Sequence, residues 1–137
     1  MAEAHITLEI VTPEGVAYSE DVQMVTLPAI EGQLGVLPHH VPLMTRMVPG
    51  EMIARTSAGD TFLAVGSGLV HITGTRVAIL TDMAVAAETI DEAKAEEARQ
   101  RALARLNEKM SDEEVASVNA ALARSLAQLH VKRRRRT

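Results

Sequence analysis

Between His5 and about Ala87 the apolar residues fall in short runs with a period of two. Ile6, Leu8 and Ile10 share one side of an extended segment, Pro13-Glu14-Gly15 interrupts it, and Val22, Met24, Val25 and Leu27 resume the pattern. Further runs cover 52–56, 61–65, 69–73 and 76–81. Ser57-Ala58-Gly59-Asp60, Gly66-Ser67-Gly68 and Gly74-Thr75 separate them. Strands spaced this closely predict a β-sandwich or barrel.

At Thr89 the period lengthens to that of a helix. Thr89 with Glu92 three residues later has the form of a capping box, which predicts helix one from there to about Lys109. Ala95, Ala98, Ala102 and Leu106 make a stripe of mostly small residues that another helix can approach closely. Ser111 and Glu114 repeat the box, and Val115, Val118, Leu122, Leu126 and Leu129 continue the spacing through helix two. A link of about two residues requires the helices to be antiparallel. The chain thus divides into a β-domain, 1–88, and a helical hairpin with a basic tail, 89–137.

The stretch 31–45, Glu-Gly-Gln-Leu-Gly-Val-Leu-Pro-His-His-Val-Pro-Leu-Met-Thr, reads as a shaped loop. Gly32 and Gly35 permit positive φ, while Pro38 and Pro42 fix their own φ and restrict the residue before each.

Composition narrows the function classes. At 137 residues with a hydrophobic fraction of 47%, the chain can bury a core, yet Tyr18 and Phe62 are its whole aromatic content. Stacking platforms for single-stranded nucleic acid are therefore missing. The lack of cysteine excludes disulfides, thiolate metal sites and a cysteine nucleophile. His5, His39, His40, His71 and His130 lie in separate segments without metal-ligand spacing, and no serine sits in a nucleophile elbow, so neither a metal site nor a catalytic residue is expected. No stretch approaches membrane-spanning length and no secretory signal opens the chain, so membrane contact is expected only through a partner.

The net charge of −4 conceals a division. Up to Glu88 there are three basic residues, Arg46, Arg55 and Arg76, against ten acidic; the remainder has eleven basic against eight acidic. The two parts face different partners.

The stretch 31–45 resembles the turn-rich segment of the epsilon subunit of F-type ATP synthases, with Gln33 where that family usually has an acid and His39 where it usually has glycine. The opening His5-Ile-Thr-Leu-Glu-Ile-Val-Thr-Pro-Glu-Gly, the segments starting at Phe62 and Arg76, and Ile90-Asp-Glu-Ala-Lys follow in the family's order, so the resemblance covers nearly the whole chain. It implies a flattened ten-stranded sandwich followed by a two-helix hairpin. The implied role is non-catalytic: a central-stalk rotor subunit linking gamma to the membrane c-ring, transmitting torque, and regulating ATP hydrolysis through the helices.

By the same resemblance, Glu31 and Gln33 face the c-ring and His40 meets gamma, at the cytoplasmic face of a bacterial inner membrane. Some family members bind ATP through Ile-Asp-x-x-Arg-Ala and further arginines. Here Ile90 and Asp91 match, Lys94 replaces an arginine, Arg101 and Arg124 fall at matching places, and Gln128 stands where another arginine is expected. Lysine loses the guanidinium fork and glutamine the charge. No cofactor is required, then, and ATP is at most a weak regulatory ligand. Arg124, Lys132, Arg133, Arg134, Arg135 and Arg136 would meet acidic loops of the beta subunits when the hairpin extends. Two rivals follow from the same residues: a free-standing nucleotide sensor, and a nucleic-acid module led by the arginine tail.

Overall fold

The computed structural model describes residues 4–134. Ten strands form one continuous sheet folded over on itself: β1 (Ile6–Thr12), β2 (Gly15–Val22), β3 (Met24–Ala29), β4 (Gly32–Val36), β5 (Leu43–Met47), β6 (Gly50–Thr56), β7 (Gly59–Val65), β8 (Gly68–Ile72), β9 (Arg76–Thr81) and β10 (Ala84–Ala86). The order across the sheet is β10-β7-β6-β3-β5-β8-β9-β1-β2, with β4 paired to β3. The β3–β5 ladder is a single residue pair, Ala29 with Met47, so the sheet bends there into two layers. All pairings are antiparallel except that of β1 with β9.

Alternation fills the space between the layers. Ile6, Leu8 and Ile10 of β1 meet Val25 and Leu27 of β3, Met52 and Ala54 of β6, Leu63 and Val65 of β7, Val70 and Ile72 of β8, and Val77 and Ile79 of β9 in one buried aliphatic cluster. Each such side chain contributes roughly 1.5–3 kcal/mol by leaving water, so a core without aromatic rings suffices.

The stretch 31–45 is only partly loop. Gly32–Val36 pairs with β3 through a two-residue turn at Ile30 and Glu31, and Leu43 opens β5. Gly32 takes φ +124°, which closes that turn. Gly35 does not take positive φ; its bare α-carbon leaves room for the Met24 methyl. The positive φ of the loop falls instead on His39, at +68°.

The helices are α1 (Glu92–Arg105) and α2 (Asp112–Arg134). Thr89 does not cap α1. It ends a 3-10 turn, Ala87–Thr89, and its hydroxyl donates to the Ala86 carbonyl. Asp91 caps α1 instead, accepting from the Lys94 backbone N–H at 3.1 Å. The Ser111 hydroxyl caps α2 as expected, accepting from the Glu114 N–H. The connection spans residues 106–111, longer than the two expected, because α1 stops at Arg105 in turns that bond Asn107 to Ala104 and Glu108 to Arg105.

Ala95 and Ala102 are buried on α1, with Val118, Ser125 and Leu129 buried on α2. Leu126 stays exposed. Ala127 and Val131 pack instead on Ala64, Met83 and Ile90, so α2 also covers the outer side of β7. Ala64 and Val65 are both fully buried for that reason: strand β7 is enclosed by the sandwich core on one face and α2 on the other.

Candidate partner surfaces and the cleft under the hairpin

The layer away from the helices carries a row of outward side chains set by the strand register. Arg46 of β5 stands opposite Leu69 of β8, Leu69 opposite Leu80 of β9, Leu80 beside Val11 of β1, and Val11 opposite Val16 of β2. Paired residues point to one side of a sheet, so these make a stripe across five strands. Leu69, Leu80 and Val16 are 52%, 58% and 63% exposed. A parallel row runs Met44, His71, Ala78, Glu9 and Ser19, with Arg76 donating to Glu9 at 2.5 Å.

His40 lies at the end of this face. Its loop is tied to the β8–β9 turn by the His39 N–H donating to the Gly74 carbonyl at 2.8 Å. The half-buried His40 ring places Nδ1 2.6 Å from the Val41 carbonyl oxygen. Leu37, Val41 and Met44 are exposed around it, extending the apolar face. Glu31 stands with exposed Ile30 at the tip of the β3–β4 turn. Gln33, two residues on, lines a groove beside α2 with Pro28, Leu126 and His130.

Between hairpin and sandwich lies an open cleft of about 370 Å³. Lys94 of α1 and Arg124 and Gln128 of α2 line it together with Asp82 and Met83. Arg124 Nη1 is 3.0 Å from Asp82 Oδ2, and Gln128 Nε2 is 3.0 Å from the Met83 sulfur. Arg101 lines a different groove, near Arg105 and Val118, and Asp91 is engaged as the α1 cap. Of the residues expected around a nucleotide, the fold gathers Lys94 and Arg124 and leaves Arg101 and Asp91 elsewhere; Ile90 is buried beneath α2.

The basic end of α2 is engaged by carboxylates. Arg133 pairs with Glu92 at 2.8 Å and Glu96 at 3.4 Å, within the hairpin. Arg134 reaches Glu51 of β6 at 3.0 Å, and Lys132 donates to the Ala87 carbonyl at 3.3 Å. Arg135 and Arg136 lie outside the described residues. The Glu96 carboxyl is lowered to about 2, first by hydrogen bonding from Arg99, then from Gln100. Among the described residues no group of histidine and acidic side chains could hold a metal ion, and no helix is long and apolar enough to cross a membrane.

Periodicity alone did not expose the outer stripe or the acidic receptors Asp82 and Glu51. The signal for the stripe was present in Leu69-Val70 and Ile79-Leu80, adjacent apolar residues that a strand must send to opposite faces. Asp82 and Glu51 carry no local signal; only the docking of α2 brings arginines to them.

Two family profiles divide the chain. The ATP synthase delta/epsilon chain beta-sandwich domain matches residues 5–87, and the long alpha-helix domain matches 88–133. The chain belongs to the ATP synthase epsilon family. It is 40% identical over 131 residues to the ATP synthase epsilon chain of Herpetosiphon aurantiacus, covering 96% of each. With that of Chloroflexus aggregans it shares 42% over 126 residues, 92% of this chain and 91% of the relative.

Epsilon chains are accessory, non-catalytic members of the synthase, so the charged surfaces described above concern contact rather than chemistry. Among solved structures, a chain of the Euglena gracilis mitochondrial ATP synthase, in an OSCP/F1/c-ring structure, superposes with a TM-score of 0.75 at 24% identity, over 95% of this chain and 82% of that one. A chain of the Tetrahymena thermophila mitochondrial central stalk and c-ring gives 0.65 at 10% identity, over 96% and 99%. These likenesses are of fold.

Proposed function

We propose that this epsilon chain is a rotor subunit of the central stalk, joining gamma to the membrane c-ring, transmitting torque, and regulating ATP hydrolysis through its hairpin. The observation that carries the reading is the apolar stripe of Leu69, Leu80, Val11 and Val16 across four strands, with Arg46 of β5 at its end. Exposed leucine and valine side chains in a continuous row, on the face the helices leave free, are the mark of a surface made for a partner. Gamma is that partner, with His40 and its apolar loop at the edge of the contact. The tip at Ile30 and Glu31, with Gln33, meets the c-ring. The chain thereby sits at the cytoplasmic face of a bacterial inner membrane, held there by its partners. The structural neighbours come from mitochondrial F1/c-ring and central-stalk/c-ring assemblies, which favours the contacts with gamma and the c-ring.

The hairpin acts when it leaves the sandwich and offers Arg124 and the basic end of α2 to acidic loops of the beta subunits. Bidentate arginine–carboxylate pairs would brake rotation there. ATP is a weak ligand of the docked state: Lys94 and Arg124 share the cleft, but Asp82 already holds Arg124, and Gln128 supplies no charge. Calorimetry on the full chain is expected to show weak binding or none, whereas a micromolar constant would favour a nucleotide sensor.

Cysteine crosslinking tests the surfaces, because the chain has no cysteine of its own. In the assembled enzyme, Leu80→Cys should crosslink to gamma and Glu31→Cys to the c-ring. If both label one subunit, the assignment of faces is wrong.

A further inference from the structure

A methionine thioether is inert until an oxidant reaches its sulfur, and the fold decides which sulfurs are reachable. Of the seven methionines, Met1 lies outside the described residues. Met47 and Met52 are sealed in the aliphatic cluster between the layers. Met83 is buried beneath α2, and its sulfur accepts from Gln128 Nε2. Met110 is half-buried with Arg105 Nη2 3.6 Å from its sulfur, and Met24 is half-buried with its methyl seated over the bare α-carbon of Gly35. Met44 differs from all of these: it is 69% exposed. Register places it on the outer face, opposite His71 and next to the row that starts with Arg46 and Leu69. Leu37, Val41 and Leu43 are exposed around it. Leucine and valine offer a peroxide nothing to attack, so Met44 is the point at which oxidation can make this apolar area polar.

We propose that Met44 is an oxidation site that weakens this face: hydrogen peroxide converts its thioether to the sulfoxide ahead of the other described methionines, and the sulfoxide lowers the affinity of the face for an apolar partner. The sulfur lone pair attacks one peroxide oxygen, and an S–O bond forms as the O–O bond breaks. The second oxygen leaves as water, taking the hydrogen of the first. Sulfur loses two electrons and the peroxide gains them, so no other reactant is needed. The product is polar and chiral where the thioether was apolar. Covering its oxygen with apolar groups removes solvating water without supplying a hydrogen bond in exchange. A dithiol reverses the change, giving up two electrons and two protons to become a disulfide while the oxygen leaves as water. The effect on gamma rests on the function proposed above; the order of oxidation and the loss of apolar character do not.

The test treats the full, folded chain with hydrogen peroxide and follows each methionine by peptide mapping, with Met1 followed separately. Met44 should oxidise at least about tenfold faster than Met24, Met47, Met52, Met83 and Met110, because susceptibility follows exposure. The circular dichroism spectrum should not change, which separates this event from oxidation of the core. Retention of the chain on a phenyl matrix should fall, and its affinity for purified gamma should drop by about tenfold or more. Met44→Leu should abolish both responses to peroxide, whatever the starting retention and affinity of that variant. Met44→Gln should lower retention with no oxidant present. Dithiothreitol with reductases for both sulfoxide epimers should restore the oxidised chain. The proposal is overturned if another described methionine oxidises as fast as Met44, or if the chain with Met44 fully oxidised keeps its retention or its affinity for gamma. A chain whose retention responds to peroxide but which never binds gamma would contradict the proposed function and leave the oxidation site standing.

Discussion

His39 holds φ +68° at the centre of the loop that borders the apolar face, a conformation that costs a side chain about 1–2 kcal/mol. Glycine at the same position would relieve that strain but gain freedom in the unfolded chain worth about 0.4–1 kcal/mol. His39→Gly is therefore expected to stabilise the fold by up to about 1 kcal/mol, read as a rise of about 3 °C in the thermal midpoint. Gly68 has the opposite sensitivity. A β-carbon there would run into the Leu80 carbonyl oxygen, a backbone atom that cannot swing away. Gly68→Ala should cost about 1–3 kcal/mol in denaturant unfolding, as overpacking does. Sequence marked His39 as unusual through the family resemblance alone, since φ is not written in a histidine. Gly68 read simply as a strand boundary, because its close neighbour lies across the β8–β9 ladder.

Elements with strong alternation were legible: β1, β3, β6, β7, β8 and β9 all follow their apolar residues. Strand β2 was not singled out, because its outer position leaves Gly15–Val22 mostly exposed with little apolar contrast. Strands β4 and β5 were hidden in a stretch whose glycines and prolines read as loop, and three-residue β10 is too short to show a period. The hairpin was legible as two helices, but its docking was not, since Ala127 and Val131 lie on a different face from the stripe expected through Leu126.

Glu96 gives the hairpin a specific acid sensitivity. Its carboxyl is lowered from 4.5 to about 2 by the bonds from Arg99 and Gln100, so the stabilisation is full above about pH 4.5 and fades as pH falls toward 2. Glu96→Gln should flatten the helical circular dichroism melt over that window; an unchanged pH profile would show that the pairs do not form in solution. Truncation before Thr89 removes the hairpin and uncovers Phe62, Ala64 and Met83 while leaving the sandwich core intact. In reconstituted enzyme it is expected to raise ATP hydrolysis and preserve coupling. Unchanged hydrolysis would assign regulation to another subunit.

At the scale of the whole molecule the proposed roles fall on two faces of the sandwich. Strands β6, β7 and β10 take the hairpin, and strands β5, β8, β9, β1 and β2 present the stripe, so the proposed gamma contact and the hairpin use different surfaces, while Gln33, proposed for the c-ring, adjoins α2. The central claim is that the stripe holds this chain in the rotor, and the most direct measurement is association of purified gamma with the full chain carrying Leu69→Asp and Leu80→Asp. Both side chains are more than half exposed but face each other across the β8–β9 ladder, so the paired aspartates should cost about 1 kcal/mol and lower the thermal midpoint by a few degrees, and binding is measured well below that midpoint. The account predicts that gamma binding weakens by at least about a hundredfold, as loss of two central apolar contacts would cause. Undiminished binding by a folded variant would contradict it.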